Sequence, residues 1–285
     1  MSRTLRKAVE NAKQKKESEI NLVEEGIAHL EEVPELFILH NLTKLCLSHN
    51  KITELPPEIV ELRSLEYLNL FNNHLEDLPS TISALPRLRE LNLALNRLCE
   101  LPRGFGSFPA LEILDLTYNN LVSSSFSANF TYLGGCLRAL YMGDNDLKHF
   151  PPHIDKFTLL EVLVLRDNAI VEVPKELGKC IKLKTLHLQG NQIMAVPVEF
   201  GRLKVFGEQR SFRLGDNPLL PSLAEKVKAG NVKIFFDFLK TEEYNLIYLR
   251  FLDRHEPETI KRDKSGKKCR KTQKHKVPAL KYETK

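Results

Sequence analysis

Short stretches in which apolar and polar residues alternate recur along the chain. In LEILDLTYNN, residues 111–120, leucine occupies the first, fourth and sixth positions. This alternation is typical of a half-buried β-strand, whereas the asparagine that follows it is depleted in strands. The same offsets precede a series of asparagines: Asn50, Asn73, Asn96, Asn119, Asn145, Asn168, Asn191 and, in a weaker copy, Asn217. The chain is therefore predicted to repeat one unit made of a strand and a corner.

The spacing of these asparagines defines the repeat. Successive asparagines lie 23, 23, 23, 26, 23, 23 and 26 residues apart, and a degenerate earlier copy at 20–27 carries Glu25 where the asparagine is expected. A recurring LxxLxLxxN pattern is the signature of leucine-rich repeats, whose units stack to bury a common core. We therefore predict an α/β fold, a curved leucine-rich repeat solenoid with a parallel concave sheet and helical terminal caps.

Alternation within the strand assigns a direction to each side chain. The fourth and sixth positions are predicted to point into the core, and the third, fifth and seventh to point away from it, on the concave face. The asparagine is predicted to hydrogen-bond backbone groups that the corner leaves unpaired, because each such buried group costs about 1–3 kcal/mol if it is unmet. The asparagines are thereby explained without a catalytic role.

The second half of each unit carries a proline, as in ITELPPEIVEL at 52–62 and LEDLPSTISAL at 75–85. Proline fixes φ and removes a hydrogen-bond donor, which favours an extended return path on the convex side over a continuous helix. Residues 121–136 depart from this plan with three added residues, a serine run and Gly134–Gly135. They predict a bulged loop.

Composition divides the chain into four segments. Residues 1–17 have apolar residues at helical spacing and predict a basic capping helix, and residues 18–220 form the predicted solenoid. Residues 221–256 predict a C-terminal helical cap, with two helices separated near Gly230–Asn231. Residues 257–285 are rich in lysine and almost free of apolar residues, which predicts a disordered basic tail.

The net charge of +5 is unevenly distributed. Residues 1–17 carry +4 and residues 254–285 carry +8, which leaves −7 for the body between them. Basic ends of this kind allow binding to nucleic acid or to acidic lipid by charge alone. Short basic runs have low specificity, so nucleic acid is not the expected partner.

The sequence contains no motif for catalysis, cofactor binding or metal binding. It lacks the phosphate-binding loop, the dinucleotide-binding glycine pattern, the nucleophile elbow and the paired-histidine zinc motif. Its five cysteines form no CxxC pair, and its histidines lack ligand spacing. No apolar run approaches the ~18 residues that span a bilayer. We therefore expect a cytoplasmic protein that is not an enzyme and needs no cofactor or metal.

The concave face holds the most informative surface. The repeat register places apolar and aromatic side chains there that the fold does not require, among polar and charged neighbours, as is typical of an interface centre. The predicted protein-binding residues are Tyr67, Asn69, Phe71, Asn92, Ile113, Asp115, Tyr141, Val162, Val164, Arg166 and His187. A solvated wall whose aromatic residues only pack laterally between strands is the alternative.

Several stretches resemble the Ras-group intracellular leucine-rich repeat family: LPPEI at 55–59, LFNN at 70–73 and LPRGFGSFPALEILDLTYNNL at 101–121. The similarity extends over nearly the whole chain. It implies a non-enzymatic adaptor that binds the last LIM domain of a PINCH-type protein. It also implies an indirect link to integrin-linked kinase and parvin at cell–matrix adhesions, and a role in Ras signalling control. The concave residues named above are then the expected LIM-binding surface.

Two further functions stay open at the level of sequence. A regulatory subunit of a phosphatase or of a GTPase-pathway enzyme would use the same concave face. A binder of anionic surfaces would use the basic ends, and its affinity would fall steeply with salt, because phosphate contacts release counterions. A mixed apolar interface is not expected to show that salt dependence.

Overall fold

A computed structural model describes residues 3–254 of the chain, so the predicted tail at 257–285 lies outside the described residues. Nine short strands form one parallel sheet in chain order, as the repeat predicted. The strands are β1 (Glu19–Asn21), β2 (Lys44–Cys46), β3 (Tyr67–Asn69), β4 (Glu90–Asn92), β5 (Ile113–Asp115), β6 (Ala139–Tyr141), β7 (Val162–Val164), β8 (Thr185–His187) and β9 (Ser211–Arg213).

The centre of each strand from β2 to β8 is a leucine that points into the core. Leu45 pairs with Leu68, Leu68 pairs with Leu91, and the same register continues along the sheet. The apolar residue two positions later, such as Leu70 or Met142, is also fully buried. These side chains belong to one continuous hydrophobic core. The inward and outward positions predicted from the alternation are thus confirmed.

The repeated asparagines form a ladder of amides at the corners. Oδ1 of Asn119 accepts a hydrogen bond from the backbone N–H of Leu98 in the preceding unit at 3.0 Å. Its Nδ2 donates to the carbonyl of Leu93 at 3.0 Å and to that of Leu116 at 3.1 Å. The same pattern of contacts is made by Asn73, Asn96, Asn145, Asn168, Asn191 and Asn217.

The ladder begins at Asn50, because Glu25 occupies the corner of the first unit, as the sequence indicated. The backbone N–H of Glu25 donates to Oδ1 of Asn50 at 3.1 Å, and that of Ile27 donates to the same oxygen at 2.9 Å. The first unit therefore takes its corner support from the second.

Short 3₁₀ helices close the units on the convex side. Four of the prolyl entries, at Pro56, Pro79, Pro174 and Pro197, are extended, as at Pro56 with φ −62 and ψ 144. The chain then turns inward. The helices are Pro34–Ile38, Pro57–Glu61, Ser80–Ala84, Phe105–Ser107, Ser123–Ser125, Ala128–Gly135, Ile154–Lys156, Lys175–Lys179 and Val198–Arg202. The extended entry agrees with the sequence, and the structure adds the helical turn that follows it.

The segment 121–136 is more ordered than the bulged loop that its serines and glycines predicted. It forms the helices Ser123–Ser125 and Ala128–Gly135, and it buries Phe126, Phe130 and Leu133. Gly134 allows the close approach of the next unit, since a Cβ there would lie 2.4 Å from the carbonyl oxygen of Lys156. The added residues therefore lengthen a convex helix.

The N-terminal cap is helix α1 (Arg3–Lys15), which carries Lys13 and Lys15 in its last turn. One face of α1 buries Leu5, Val9 and Ala12 in the core of the solenoid. The apolar spacing read from the sequence thus identifies the packed face of this helix.

The C-terminal cap consists of three helices, α2 (Pro221–Lys228), α3 (Val232–Phe238) and α4 (Glu242–Arg254). The sequence predicted two helices with a break near Gly230, and that break is present, with Gly230 at φ 70. The sequence did not predict the second break, which separates α3 from α4. It is stabilised by Thr241, whose Oγ1 accepts from the backbone N–H of Tyr244 at 3.2 Å and donates to the carbonyl of Phe238 at 2.7 Å.

A buried tyrosine attaches α4 to the last units of the solenoid. The hydroxyl of Tyr244 donates to the carbonyl oxygen of Val196 at 2.5 Å and accepts from its N–H at 3.3 Å. Burial strongly raises the pKa of Tyr244, so it stays a neutral donor. Phe236 of α3 contacts Phe200, Phe206 and Phe212, which continues the core into the cap.

Candidate functional site

The concave wall consists of three rows of outward side chains. Strand pairing places the third-position residues in a first row: Lys44, Tyr67, Glu90, Ile113, Ala139, Val162, Thr185 and Ser211. The second row holds the fifth-position residues: Cys46, Asn69, Asn92, Asp115, Tyr141, Val164, His187 and Arg213. The third row follows two residues later and includes Phe71 and Arg166.

The eleven residues predicted from the sequence all belong to these rows. Tyr67, Ile113 and Val162 stand in the first row, and most of the others stand in the second. Adjacent members are direct strand neighbours, since Asp115 pairs with both Asn92 and Tyr141. The structure therefore brings the predicted set together on one surface.

Three polar members of the set also support the backbone. Oδ1 of Asn69 accepts from the N–H of Phe71 at 2.9 Å, and Oδ1 of Asn92 accepts from that of Ala94 at 3.0 Å. Asp115 makes the same contact with the N–H of Thr117 at 2.9 Å. Each residue uses one oxygen at the end of its strand, and Nδ2 of Asn69 also donates to the hydroxyl of Tyr67 at 3.2 Å.

Two carboxylates occupy the middle of the wall. Burial raises the pKa of Asp115, although hydrogen bonds from Thr117 and the charge of Arg166 oppose that rise. Burial, followed by the negative charge of Asp115, raises the pKa of Glu90. Two desolvated acidic groups at close range favour a partner that brings a positive charge or a hydrogen-bond donor.

Aromatic side chains flank this acidic centre. Tyr141 pairs with Asp115 across the sheet, and Tyr67 pairs with Glu90. Both tyrosines are half-buried, and burial is the main cause that raises the pKa of each hydroxyl. They remain neutral, so each presents an apolar ring and a hydroxyl that can donate or accept a hydrogen bond.

Arg166 is held in a fixed position by its own chain. One guanidinium nitrogen lies 2.7 Å from a carboxylate oxygen of Asp144 and 2.6 Å from one of Asp167. The guanidinium also lies 5.5 Å from the centre of the Tyr118 ring, within reach of a cation–π contact. Gly143 leaves room for the stem, because a Cβ there would lie 3.0 Å from Cγ of Arg166.

Val164 differs from the other predicted contact residues in its exposure. It faces the wall between Tyr141 and His187, but only 8% of its surface is exposed. Its neighbours therefore cover it, and it offers little surface for direct contact with a partner. Val162 in the first row of the same strand is more accessible.

The N-terminal part of the third row is also aromatic. The ring of Phe71 makes an edge-to-face contact with His49, with ring centroids 5.1 Å apart. Nδ2 of Asn72 lies 2.8 Å from Nδ1 of His49. Phe71 is half-buried, so its ring packs laterally and still offers a face to a partner.

His187 marks the C-terminal part of the second row. Its Nε2 lies 2.8 Å from Oγ of Ser211 on the next strand. Burial, with the positive charges of Arg213 and Arg166, lowers the pKa of His187. The imidazole is therefore neutral at pH 7 and contributes hydrogen bonding and ring surface.

The structure adds residues that the predicted site did not include. Glu90 belongs to the acidic centre, while Asp144, Asp167 and Tyr118 fix the orientation of Arg166. The repeat register was the signal that could have found them, since Glu90 is a third-position residue and the other three occupy eighth positions. Their contacts depend on side-chain conformation, which the register does not supply.

Residues 3–254 contain no group of three or more histidines, cysteines or acidic residues arranged to hold a metal ion. Within the same residues, no helix has the length and apolar character needed to cross a membrane.

Comparison with known sequences finds matches to the repeats and to proteins that align with 95% of the chain. A family model for a leucine-rich repeat region matches residues 21–135, and a second leucine-rich repeat model matches residues 179–194. Ras suppressor protein 1 of Homo sapiens is 53% identical over 272 residues, which is 95% of this chain and 98% of that protein. The Bos taurus protein of the same name is 52% identical over the same shares.

Solved structures share the repeat architecture. The leucine-rich repeat ectodomain of the plant membrane receptor kinase GASSHO1/SCHENGEN3 from Arabidopsis thaliana aligns with a TM-score of 0.55 at 33% identity. That alignment covers 67% of this chain and 23% of the ectodomain. The likeness supports a leucine-rich repeat solenoid for this chain.

Proposed function

Because the chain belongs to the Ras suppressor protein 1 family of leucine-rich repeat proteins, we propose that it is a non-enzymatic adaptor whose concave wall binds a LIM-domain partner of the PINCH type. Through this partner it joins integrin-linked kinase and parvin at cell–matrix adhesions in the cytoplasm, and it takes part in Ras signalling control. The family membership supports the adaptor role, and the chemistry of the concave wall supports the choice of surface.

The observation that carries the proposal is the cluster of half-buried aromatic residues around a desolvated acidic centre. Tyr67, Phe71 and Tyr141 point away from the leucine core, so the solenoid does not need rings at these positions. Tyrosine and arginine are enriched among residues that dominate binding energy, because they combine apolar area with directed hydrogen bonds. A concave wall that contacted only solvent would gain nothing from aromatic residues at these positions.

Rigidity adds a second line of support. Arg166 is ion-paired and packed before any partner arrives, and Asp115 is fixed by the N–H of Thr117. A partner that binds a preformed wall loses less entropy in ordering side chains than one that binds mobile groups. Arg166 is already neutralised by two carboxylates, so the acidic centre sets the charge preference of the wall, which matches a partner surface with a basic group.

Calorimetric titration with the last LIM domain of a PINCH-type protein tests the proposal. Tyr141→Ala is expected to weaken binding by about 30-fold, equivalent to roughly 2 kcal/mol at a central interface residue. Tyr132→Ala is the matched control, because Tyr132 is 66% exposed on the convex helix Ala128–Gly135. It should bind as the unmodified chain does.

Equal affinity of both tyrosine variants would contradict the concave wall as the binding surface. A salt series separates the proposal from binding through the basic ends. The LIM domain should lose little affinity as salt rises, whereas vesicles containing an acidic phospholipid would show a steep loss if the basic ends bound them. Vesicle binding without LIM binding would favour the anionic-surface function instead.

A further inference from the structure

Helix α4 is attached to the solenoid by only one of its faces. Tyr244 is buried, and Ile247, Tyr248 and Phe251 are partly buried against the core. These positions follow the i, i+3, i+4, i+7 spacing of a single helical stripe. The packed stripe therefore fixes which residues of α4 face outward.

The outward face of α4 is apolar as well. Leu246 is 48% exposed, Leu249 is 49% exposed and Leu252 is 36% exposed. A helix that packs on a core with one face normally carries polar residues on the opposite face. Three neighbouring exposed leucines, one turn apart, instead mark a surface that another element covers.

Charged residues at the two ends of α4 have opposite signs. Glu242 and Glu243 begin the helix, whereas Arg250 and Arg254 lie in its last two turns. Among residues 3–254, no ion pair within 4.0 Å joins any of these four side chains to another residue. Asp253 reduces the positive charge of the C-terminal end without cancelling it.

We propose that α4 is a self-association surface that pairs with α4 of a second copy of this chain, antiparallel across a two-fold axis near the middle of the helix. This arrangement places the leucine row of one copy against that of the other. It also brings Glu242 and Glu243 of each copy beside Arg250 and Arg254 of the other. A two-fold interface must be self-complementary, and a helix with opposite charges at its ends meets that condition only when the two copies run antiparallel.

The proposed dimer leaves the concave wall accessible. Helix α4 packs beside the convex helix Val198–Arg202, and Tyr244 binds the convex residue Val196. The wall belongs to the opposite side of the units. A dimer would therefore present two walls, and its formation does not depend on the function proposed for them.

The same end charges also complement the dipole of an isolated helix. The two explanations differ in what a charge reversal does. If the charges act only on the helix, reversal changes stability and leaves the state of association alone. If they act between copies, reversal at one end weakens pairing, and reversal of the complementary end in a second chain restores it.

Sedimentation velocity of the full chain over a wide concentration range is the first experiment. A monomer at low concentration should shift toward a dimer as concentration rises. Leu249→Asp should weaken association by at least about tenfold. Because Leu249 is half exposed, the melting temperature of the monomer at low concentration should change little. Ile181→Asp is the matched control, since Ile181 is 69% exposed outside α4, and it should associate as the unmodified chain does.

Charge reversal identifies the partner and the orientation. The variant Glu242→Arg with Glu243→Arg, and the variant Arg250→Glu with Arg254→Glu, should each lose self-association. An equal mixture of the two should form a mixed dimer. A monomer at every concentration, equal association of Leu249→Asp and the unmodified chain, or no mixed dimer from the paired variants would each overturn the proposal.

Discussion

The inward and outward faces of the same strands differ in how much their residues vary from unit to unit. Leu114 at the centre of β5 is fully buried and has a leucine partner on each side, as do the central leucines of the neighbouring strands. On the outward face the two residues of β5 that flank it are Ile113 and Asp115, and those of β4 are Glu90 and Asn92. The inward face is therefore set by stacking, which demands an apolar residue of similar size, most often leucine, in every unit. The outward face is free to differ between units, and the proposed binding surface lies there.

The largest effect is expected where a single side chain supports two units. Asn119→Ala removes the acceptor for the N–H of Leu98 and the donor to the carbonyls of Leu93 and Leu116. We expect a loss of about 3–5 kcal/mol in the free energy of unfolding, because several buried backbone groups then lack partners. Chemical denaturation measures this loss in the free energy of unfolding.

The adjacent Asn120 provides the control for this variant, since it is only partly buried and lies one position beyond the ladder. Asn120→Ala should change the free energy of unfolding by less than about 0.5 kcal/mol. Similar losses in the two variants would remove the distinction between ladder asparagines and their neighbours.

A pair of neighbouring glycines tests the convex side in the same way. Gly134→Ala is expected to cost about 1–3 kcal/mol or more, because the new methyl group would lie 2.4 Å from the carbonyl oxygen of Lys156. Gly135→Ala meets nothing within 4 Å and should be nearly neutral. Thermal melts of both variants measure the two changes in stability. A Gly134→Ala variant as stable as the unmodified chain would show that the two units are not closely packed at this position.

Asp115→Asn separates stability from binding. The pKa of Asp115 is raised in the folded chain, so its charged form is disfavoured there. This penalty is absent below the unfolded pKa of about 3.9, grows as pH rises through the folded pKa and is complete above it. Asparagine keeps the contact to Thr117, as Asn69 and Asn92 do in their own units.

The Asp115→Asn variant should therefore be more stable than the unmodified chain at pH 7, and this advantage should vanish in acid. Its affinity for the LIM domain should fall, because the acidic centre loses a charge. Denaturation curves at several pH values, together with titration calorimetry, measure the two effects. A variant that loses both stability and affinity would assign Asp115 to the fold alone.

The smallest effect is expected from the exposed charges beside the strands. Arg138 lies 3.3 Å from Glu112 and 3.2 Å from Glu161, and further pairs continue this row on neighbouring units. Arg138→Ala should cost less than about 1 kcal/mol, because exposed ion pairs contribute little. The loss should shrink in high salt, and a loss that is insensitive to salt would point to packing of the arginine stem instead.

The sequence predicted the parts of the fold that repetition determines. The leucine spacing identified the strands, their parallel order and the outward rows, because one residue of slip would have turned Tyr67 and Asp115 into the core. Glu25 was identified as a degenerate corner for the same reason. The segment 121–136 and the break before Thr241 were not predicted correctly, since each departs from the repeat. Thr241 followed by two glutamates was a helix-start signal that could have revealed the break.

The site was predictable as a surface but not as an arrangement of side chains. The register placed Arg166 on the wall, yet its ion pairs depend on a rotamer and on the left-handed corners at Asp144 and Asp167. The burial of Val164, which pairs with Tyr141 and His187 on the neighbouring strands, likewise depends on side-chain packing. Such details follow from packing between units, which a single-unit pattern does not contain.

Hydroxyl-radical footprinting of the full chain, with and without the LIM domain, tests the central claim most directly, because it reads both faces in one experiment. The account predicts protection of Tyr67, Phe71 and Tyr141 on the concave wall, with no change at Tyr132 and Ile181 on the outside of the solenoid. Protection at Tyr132 or Ile181, with the three wall residues unchanged, would contradict it.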